Sequence, residues 1–285
     1  MQRSDFRFSE RLRVRWAEID AQKIVFNGHY LMYFDTAVAG YWRALAMPYA
    51  QTMEHLGGDL FVRKASVDYL GSARYDDLLD IGLRCERIGS SSLRFIGAVF
   101  RADQLLVSCE LVYVFADPRA QTSRPVPAAL RSVIEAFEDG AAMIETRVGS
   151  WPELGQHAGA IRTAVFVEEQ RIPIEMEWDD ADALAVHAVA LNRFGFPLAT
   201  GRLITEAPGM ARIGRMAVSQ AVRGSGVGRA VLDALTNVAR QRGDRELVLH
   251  AQTSAQAFYA KAGFSPCGAV FEEAGIAHID MTRRL

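Results

Sequence analysis

Hydrophobic and polar residues alternate near the start of the chain and then recur with a helical spacing. The alternation covers residues 10–18 and predicts a β-strand. From Leu31 onward, apolar residues recur every three or four positions, which predicts an amphipathic helix of about five turns. Its stripe consists of Leu31, Phe34, Val38, Trp42 and Leu45. Asn27 and Gly28 are residue types favoured at helix starts, so the helix is expected to begin near them.

Alternating segments separated by turn-like residues follow this helix. They are FVRKASVDYL, DLLDIGLRCERIG, SSSLRFIGAVF and QLLVSCELVYVFAD. One long helix with an antiparallel meander predicts a sheet wrapped around that helix. A proline-containing segment and a short helical pattern, AALRSVIEAFE, then close the first unit.

The second part of the chain alternates helices and strands. Helical patterns occupy AGAIRTAVFVEEQ, GVGRAVLDALTNVARQRG and SAQAFYAKAG, and strand patterns occupy ALAVHAVALN, PLATGRLIT, MARIGRMAVS, ELVLHAQ and the C-terminal segment. The two parts show no repeat. The sequence therefore predicts an α+β protein with a domain over residues 1–138, a linker over residues 139–150 and a second, mixed α/β domain over residues 151–285.

Composition and charge narrow the function classes. Half of the 285 residues are hydrophobic, which is enough for two cores, and the net charge is −2. This charge argues against a general nucleic-acid binder and against attachment to a membrane through basic residues. The N-terminus lacks a signal-peptide pattern, and no apolar run approaches the ~18 residues of a membrane span. A cytoplasmic location is expected.

Cysteine and histidine spacing predicts no resident metal. Cys85, Cys109 and Cys267 are far apart and form no CxxC pair, which is typical of reduced thiols. The six histidines show no HxH or HxxxH spacing.

A glycine-rich loop precedes a helix of the second domain. Gly224, Gly226 and Gly228 lie between Arg223 and Arg229, after a strand and directly before the helical pattern. Glycines let backbone N–H groups approach an anion, and the helix adds the positive end of its dipole. The loop lacks GxxxxGK[ST], which argues against a nucleoside triphosphate, and it lacks the GxGxxG spacing of a dinucleotide site.

Several segments around this loop resemble one family. The string Arg223-Gly224-Ser225-Gly226-Val227-Gly228 matches R/Q-x-x-G-x-G/A and resembles the pyrophosphate loop of the GNAT acyltransferases, which bind coenzyme A. RMAVS (215–219) stands where this family pairs a strand with the pantetheine arm, and AQTSAQAFYAKAGF (251–264) resembles its second motif. VFVEEQRIP, EWDDAD, ATGRL and GIAHIDM are similar to the ElaA-like branch. The resemblance covers roughly residues 150–285.

This resemblance implies acyl transfer from coenzyme A to an amine, with Tyr259 protonating the departing thiolate. Alternatively, Tyr259 is an aromatic residue packed under the loop. The resemblance also implies that coenzyme A contacts Met216, Ala217, Val218, Arg223, Gly224, Ser225, Gly226, Val227, Gly228, Arg229 and Gln252. Gln252 stands where many members have asparagine.

The base that would deprotonate the amine is not marked by a motif. A protonated alkylamine must lose a proton before it can attack. Glu168, Glu169 and His250 are candidates, and His187 and His278 are equally compatible with structural roles.

The first domain carries a second candidate site. Asp20 lies between the first strand and the helix start near Asn27. A carboxylate there can attack a thioester or activate water, while helix-start N–H groups polarise the carbonyl. IVFNGHYL, ASVDYLGSARYDDLLDI and RIGSSSLRF resemble the hotdog-fold thioesterases of the 4-hydroxybenzoyl-CoA type over residues 8–137.

That resemblance implies roles for particular residues. Asp20 takes the place of the family's catalytic aspartate, and Asn27 that of its helix-start N–H donor; Gly28, His29 and Tyr30 adjoin it as polarising or pocket residues. Lys23 departs from the pattern, because the family usually has glycine there. The alternatives are that Asp20 is a loop carboxylate and that His29 and Tyr30 merely pack. Hotdog domains of this kind dimerise, and an open sheet edge fits a homodimer or a higher oligomer.

Together the resemblances imply a bifunctional enzyme: an acyl-CoA thioesterase fused to an N-acyltransferase whose acyl group is expected to be acetyl. One alternative makes the first domain a non-catalytic module for acyl-CoA binding and dimerisation. Another makes the GNAT domain a ligand sensor. Acyl-CoA and an amine are the expected small-molecule partners, and the sequence identifies neither the acyl chain nor the amine.

Overall fold

The computed structural model describes residues 1–285, which form two compact units, Met1–Met143 and Ile144–Leu285. No helix in it is both long and apolar enough to cross a membrane. Residues 144–149, expected within a linker, instead form a strand that pairs with its neighbour in the second unit's sheet. This pairing satisfies backbone hydrogen bonds that a free linker would leave to water.

The N-terminal unit is a five-stranded antiparallel sheet with a long helix against it. The strands are β1 (Phe8–Arg13), β2 (Asp59–Tyr69), β3 (Leu78–Ile88), β4 (Ser92–Arg101) and β5 (Gln104–Ala116), and the helices are α1 (Asn27–Ala44), α2 (Tyr49–Leu56) and α3 (Ala128–Glu138). The strand order is β1-β3-β4-β5-β2. The predicted helix, meander and closing helix are confirmed, and the arrangement is a hotdog fold.

Helix α1 packs on the sheet through a face slightly different from the predicted stripe. Phe34 and Val38 are buried as expected, but Leu31 is exposed and Tyr30 and Tyr41 are buried instead. Phe34 lies directly on β4, where a Cβ on Gly97 would come within 2.6 Å of its ring. The missing side chain at Gly97 therefore lets the helix approach the sheet closely.

The first strand is shorter than the alternation predicts. It ends at Arg13, and Trp16–Glu18 form a 3-10 turn. The Glu18 carboxylate accepts a hydrogen bond from the Arg15 backbone N–H at 2.7 Å, which closes this turn. Alternation alone does not reveal a side chain that caps the backbone in this way.

The C-terminal unit is a seven-stranded mixed sheet. Its strands are β6 (Ile144–Gly149), β7 (Val186–Asn192), β8 (Pro197–Ala207), β9 (Met210–Val218), β10 (Glu246–Gln252), β11 (Ser265–Glu273) and β12 (Ile276–Arg284), and its helices are α4 (Trp151–Arg162), α5 (Ile174–Glu177), α6 (Val227–Arg242) and α7 (Gln256–Lys261). The strand order is β11-β12-β10-β9-β8-β7-β6, and only β9 and β10 run parallel.

The C-terminal unit departs from regular secondary structure at three places. Strands β9 and β10 pair only over Met210–Arg212 and Glu246–Val248, and beyond that they lose their register. A bulge places Arg215, with a φ of 51°, and Met216 opposite the single residue Gly201 of β8. Helix α4 continues as a π-helix over Thr163–Glu169, a geometry that is frequent at functional sites.

Candidate active sites

The glycine loop presents backbone groups at the start of α6. Gly224 and Gly226 have φ values of 83° and 88°, in the left-handed region that favours glycine, and α6 begins at Val227. A Cβ on Gly228 would lie 2.9 Å from a methyl group of Val218, so a side chain there would push the loop away from β9. The first N–H groups of α6 have no partner within the helix, which suits them to an anion.

The two arginines that flank the loop are held by ion pairs. The Arg223 guanidinium donates to both carboxylate oxygens of Glu169 at 2.7 and 2.6 Å, and Arg229 contacts Asp233 at 2.8 Å. Ser225 donates its hydroxyl to the Val222 carbonyl at 2.6 Å. An anion at the loop would therefore be bound mainly by backbone N–H groups, with the arginines contributing charge nearby.

Replacing Gly226 by alanine is expected to weaken coenzyme A binding at least tenfold. An L-residue in the left-handed region costs about 1–2 kcal/mol, and relieving that strain would turn the loop amides away from the anion. Gly243 at the other end of α6 is a matched control, because its φ is 87° and its surroundings are equally open. Calorimetry should show weaker binding for Gly226→Ala alone, with similar losses of thermal stability in both variants. Equal affinities in the two variants would contradict this role of the loop.

A cavity of about 530 Å³ brings together most of the residues predicted to contact coenzyme A. Those lining it are Met216, Ala217, Val218, Arg223, Gly224, Gly226, Gly228, Arg229 and Gln252, and the predicted catalytic Tyr259 lines it as well. Ser225 and Val227 do not line it. The Ser225 side chain bonds within the loop, and Val227 is buried in the core.

A second cavity, of about 430 Å³, is lined by residues of β9, β10 and β12 and of the segments beside them. Both cavities are lined by Gln170, Met216, Gln252, Ala255 and Tyr259. Gln252 donates to Gln170 at 3.0 Å, so the π-helix and β10 are joined at this junction. The sheet therefore has two compartments that meet beside Tyr259. Sequence reasoning missed Gln170, because a single glutamine at the end of a helical pattern carries no signal by itself.

Tyr259 is a buried phenol at the junction. Its ring packs against Phe258 and Phe264, with centroids 5.0 and 6.0 Å away. Burial raises its pKa to about 12, so the hydroxyl keeps its proton at neutral pH. A phenol in this state can donate a proton to an anion that forms beside it.

A largely buried network of charges borders the second cavity. Its members are Arg162, Glu177, Asp179, Asp182, Arg202 and Arg215. Arg162 contacts Glu177 at 2.5 Å and Asp182 at 2.7 Å, and Arg215 of the bulge contacts Asp179 at 3.2 Å. Burial raises the pKa of Glu177, whereas a hydrogen bond from Arg202 lowers the pKa of Asp179. With three arginines and three carboxylates, the network compensates its charges and ties the bulge to α4.

His187, left open by the sequence, belongs to this network. Its ring is buried and its Nε2 donates to the Asp182 carbonyl at 2.9 Å, and burial lowers its pKa. Two features of the sequence could have indicated the network: the cluster of acidic residues in EWDDAD, and Arg162, a charged residue within a helical pattern.

In the N-terminal unit, Asp20 lies in a tight turn. Its backbone N–H donates to the Ile24 carbonyl, and its side chain accepts from the Gln22 N–H at 2.8 Å. Lys23 within this turn has a φ of 63°. The glycine of the family pattern would adopt this conformation without strain, and Lys23 adopts it at a cost. Asp20 is partly exposed and lines none of the cavities described here.

The helix-start residues have mixed roles. Asn27 and Gly28 are exposed at the first turn of α1, where N–H groups lack intrahelical partners. His29 contacts Phe26 with ring centroids 6.0 Å apart. Tyr30 is buried and its hydroxyl accepts from the Ala73 N–H at 2.9 Å, so it is a core residue and not a pocket residue.

A cavity of about 680 Å³ lies one turn further along α1. Leu31, Met32 and Tyr33 line it together with Val62 and Ala65 of β2. Glu18, which the sequence analysis missed, also lines it and accepts from the Tyr33 hydroxyl at 2.8 Å. Burial would raise the pKa of Glu18, but hydrogen bonds from Arg15 and Tyr33 outweigh it and lower the pKa. Glu18 is therefore a buried anion that ties the turn before α1 to Tyr33 of that helix.

Comparison with known proteins decides the family. Residues 176–285 match the acetyltransferase (GNAT) domain model, and residues 22–108 match the thioesterase superfamily model. Protein ElaA of Escherichia coli is 33% identical over 129 residues, which are 44% of this chain and 84% of ElaA. The chain belongs to the GNAT acetyltransferase family. Its GNAT domain is ElaA-like and is fused to a hotdog domain of the thioesterase superfamily, so this is a two-domain protein that uses acyl-CoA.

Solved structures align with each domain separately. The crystal structure of Escherichia coli ElaA shares 31% identity with a TM-score of 0.45, covering 50% of this chain and 99% of ElaA. A Thermus thermophilus thioesterase complexed with coenzyme A and Zn shares 26% identity with a TM-score of 0.42, covering 47% of this chain and 97% of the thioesterase. In the present chain, no group of three or more His, Cys, Asp or Glu side chains is placed to hold a metal ion.

Proposed function

We propose that the GNAT domain transfers an acetyl group from acetyl-CoA to a primary amine and that the hotdog domain hydrolyses an acyl-CoA thioester. The observation that carries the first activity is the junction of two cavities beside Tyr259 and the β9 bulge. One compartment is lined by the glycine loop, and the other is open to a second substrate.

The transfer step follows from this arrangement. Coenzyme A would lie with its pyrophosphate on the loop amides and its pantetheine arm along Met216–Val218, which places the thioester near the junction. The amine nitrogen attacks the thioester carbonyl carbon, and the carbon–sulfur bond breaks. Tyr259 gives its proton to the departing sulfur, and the surplus proton on the nitrogen restores the phenol.

Hydrolysis in the hotdog domain would use Asp20 and the start of α1. Asp20 takes a proton from water as the water attacks the thioester carbonyl; the carbon–sulfur bond then breaks and the departing thiolate takes up that proton. Alternatively, Asp20 attacks the carbonyl itself and expels the thiolate, and water then hydrolyses the acyl–aspartate anhydride to free acid and Asp20, releasing a proton to the thiolate. The N–H groups of Asn27 and Gly28 would stabilise the developing oxyanion. Asn27 and Gly28 are exposed at the start of α1, which supports a role of their N–H groups as oxyanion donors.

One observation favours a second function for this domain. Asp20 already accepts a hydrogen bond within its own turn and lies outside the 680 Å³ cavity. A module that binds the acyl group without cleaving it would need the cavity and not the carboxylate. Regulation of the GNAT domain by acyl-CoA is then the function of the hotdog domain.

Thiol release by the wild-type protein separates these functions. Acetyl-CoA and longer or aromatic acyl-CoAs are incubated without an amine and then with a panel of primary amines, and products are identified by mass spectrometry. Release without amine supports hydrolysis, and release that requires an amine supports transfer. No release without amine, with acyl-CoA still bound to the hotdog domain, supports the binding module.

We also propose that the protein is a homodimer through the β2 edge. This strand is long and largely exposed, and it carries Phe61 and Val62 with 42% and 57% of their surface accessible. Such an edge pairs readily with a second copy. Light scattering is expected to give about twice the 31.5 kDa chain mass, and Val62→Lys should shift this toward a monomer. Val270→Lys, at an exposed valine of the other domain's edge strand β11, is the control. A monomer at every concentration would contradict the proposal.

A further inference from the structure

The wall of the second cavity carries two histidines on one sheet face. His250 lies on β10 and His278 on β12, and both line the cavity. In the strand register, His278 stands directly opposite Gln252, the residue that borders both cavities. Directly opposite residues have Cβ atoms about 5 Å apart, so His278 lies close to Gln252. His250 precedes Gln252 by two residues on β10, which is roughly 7 Å along the strand.

The hydrogen bonds of the two rings differ. His250 uses both nitrogens: Nδ1 contacts Asp280 at 2.5 Å, and Nε2 faces the guanidinium of Arg212 at 3.0 Å. His278 has only its Nδ1 engaged, 2.8 Å from the Ile276 carbonyl. A carbonyl oxygen can only accept, so Nδ1 of His278 must carry a proton. In the neutral ring, Nε2 therefore holds the lone pair.

The carboxylates that the sequence offered as bases, Glu168 and Glu169, lie outside the second cavity, and Glu177 is engaged. Glu273 of β11 also lines this cavity and is unchanged in both variants of the test below. Glu169 is paired with Arg223 at 2.6 Å, and neither Glu168 nor Glu169 lines either of the two cavities beside Tyr259. Glu177 lines the second cavity, but Arg162 holds it at 2.5 Å. Because this carboxylate is held by Arg162 and lies 3.7 Å from Arg215, taking up a proton from the amine would break the charge network.

We propose that His278 is the general base of the acceptor site and that the acceptor is a primary alkylamine that arrives as an ammonium ion. This inference rests on the proposed acetyl transfer. Nε2 of His278 takes one proton from the ammonium, and the neutral amine attacks the thioester carbonyl. The imidazolium then releases that proton to solvent, while Tyr259 protonates the sulfur. Tyr259 and His278 thus serve opposite proton transfers at one junction.

Charged and titratable groups from every neighbouring element share this wall and bear on the pH response. They are His250 of β10, Asp280 of β12, Glu273 of β11, Arg212 and Arg215 of β9, Arg202 of β8, and Glu177 and Asp179 before β7. All of them are present in both variants of the test below, apart from the substituted histidine itself. A difference between the variants therefore reports on one ring.

The test compares His278→Asn with His250→Asn in the full-length protein. Asparagine can keep the hydrogen bond made by Nδ1 and removes Nε2 in both cases. The assay uses acetyl-CoA with phenethylamine, 1,5-diaminopentane, spermidine and glucosamine, and follows the best acceptor. His278→Asn is expected to lower kcat/KM for the amine about 100-fold or more, with KM for acetyl-CoA within about twofold of wild type. His250→Asn should lose at least tenfold less activity than His278→Asn, because both nitrogens of His250 are already engaged.

The pH profile and an arylamine sharpen the result. The rate of His278→Asn should keep rising with pH, because free amine then comes only from solution, whereas the wild-type rate levels off. 4-Methoxyaniline is unprotonated at neutral pH and needs no base. With this acceptor, His278→Asn should lose much less activity than with an alkylamine. An unchanged rate in His278→Asn, an equal loss in His250→Asn, or a parallel loss of acetyl-CoA binding would overturn the assignment. If the wild type acetylates no amine, the proposed transfer fails and this inference fails with it.

Discussion

Tyr259→Phe is expected to slow acetyl transfer about 100-fold while leaving the dissociation constant of coenzyme A within about twofold. The phenol is the group at the junction of the two cavities that can protonate the departing sulfur, and loss of such an acid typically costs 10²–10⁴ in rate, on the order of the effect expected here. Phenylalanine fills the same space against Phe258 and Phe264, so packing should be retained. Steady-state kinetics and calorimetry together separate the chemical step from binding.

The loss in Tyr259→Phe should be the same at pH 7 and at pH 9. Burial holds the pKa of Tyr259 near 12, so the proton is present at both values. Phe258→Leu is the control, because Phe258 lines the 530 Å³ cavity and not the 430 Å³ cavity. That variant should raise KM for acetyl-CoA and leave kcat within about threefold. A Tyr259→Phe protein with wild-type kcat would make Tyr259 a packing residue.

Asp20→Asn is expected to reduce amine-independent thiol release at least 100-fold. The amide cannot act as a nucleophile or take a proton from water, yet its oxygen can still accept from the Gln22 N–H and keep the turn. Thiol release from a panel of acyl-CoAs, measured with and without amine, tests this. Transfer to the amine by the other domain should not change.

Asp35→Asn is the matched control for Asp20→Asn. Asp35 is a carboxylate that lines the 680 Å³ cavity, whereas Asp20 does not. If Asp35→Asn removes hydrolysis and Asp20→Asn does not, the reacting carboxylate lies in the cavity and the family position is wrong for this chain. If the wild type itself releases no thiol from any acyl-CoA, the hotdog domain is the binding module. Lys23 in its strained turn is then the first departure to examine.

The sequence was sufficient wherever local pattern and composition decide the structure. The α1 helix, the meander over residues 59–116 and the α6 helix follow from periodicity, because burial of an apolar face depends on residues close in sequence. The glycine-rich loop was also recognisable from the sequence. Glycine adopts a positive φ without the steric cost that other residues meet, so the cluster of glycines marked a place where Gly224 and Gly226 could take that conformation.

Side-chain hydrogen bonds and strand registers required the tertiary structure. The end of β1, the strand at 144–149 and the burial of Tyr30 depend on partners far along the chain or on caps that alternation does not show. The same holds for the network around Arg162 and Asp182, which joins α4 to β8. The sequence shows which residues are charged, but only the fold shows which opposite charges they contact.

The two histidines of the second cavity show where sequence reasoning ends. The sequence offered His250 as a candidate base and left His278 equally compatible with a structural role, because nothing in the chain order distinguishes a ring with two partners from a ring with one. The β10–β12 register placed His278 opposite Gln252, and Arg212 of β9 took up the second nitrogen of His250. The sequence by itself therefore determined the two domains, the loop and their family resemblance. Only the tertiary structure decided which side chains meet at the junction, because those contacts are made across strands distant in sequence.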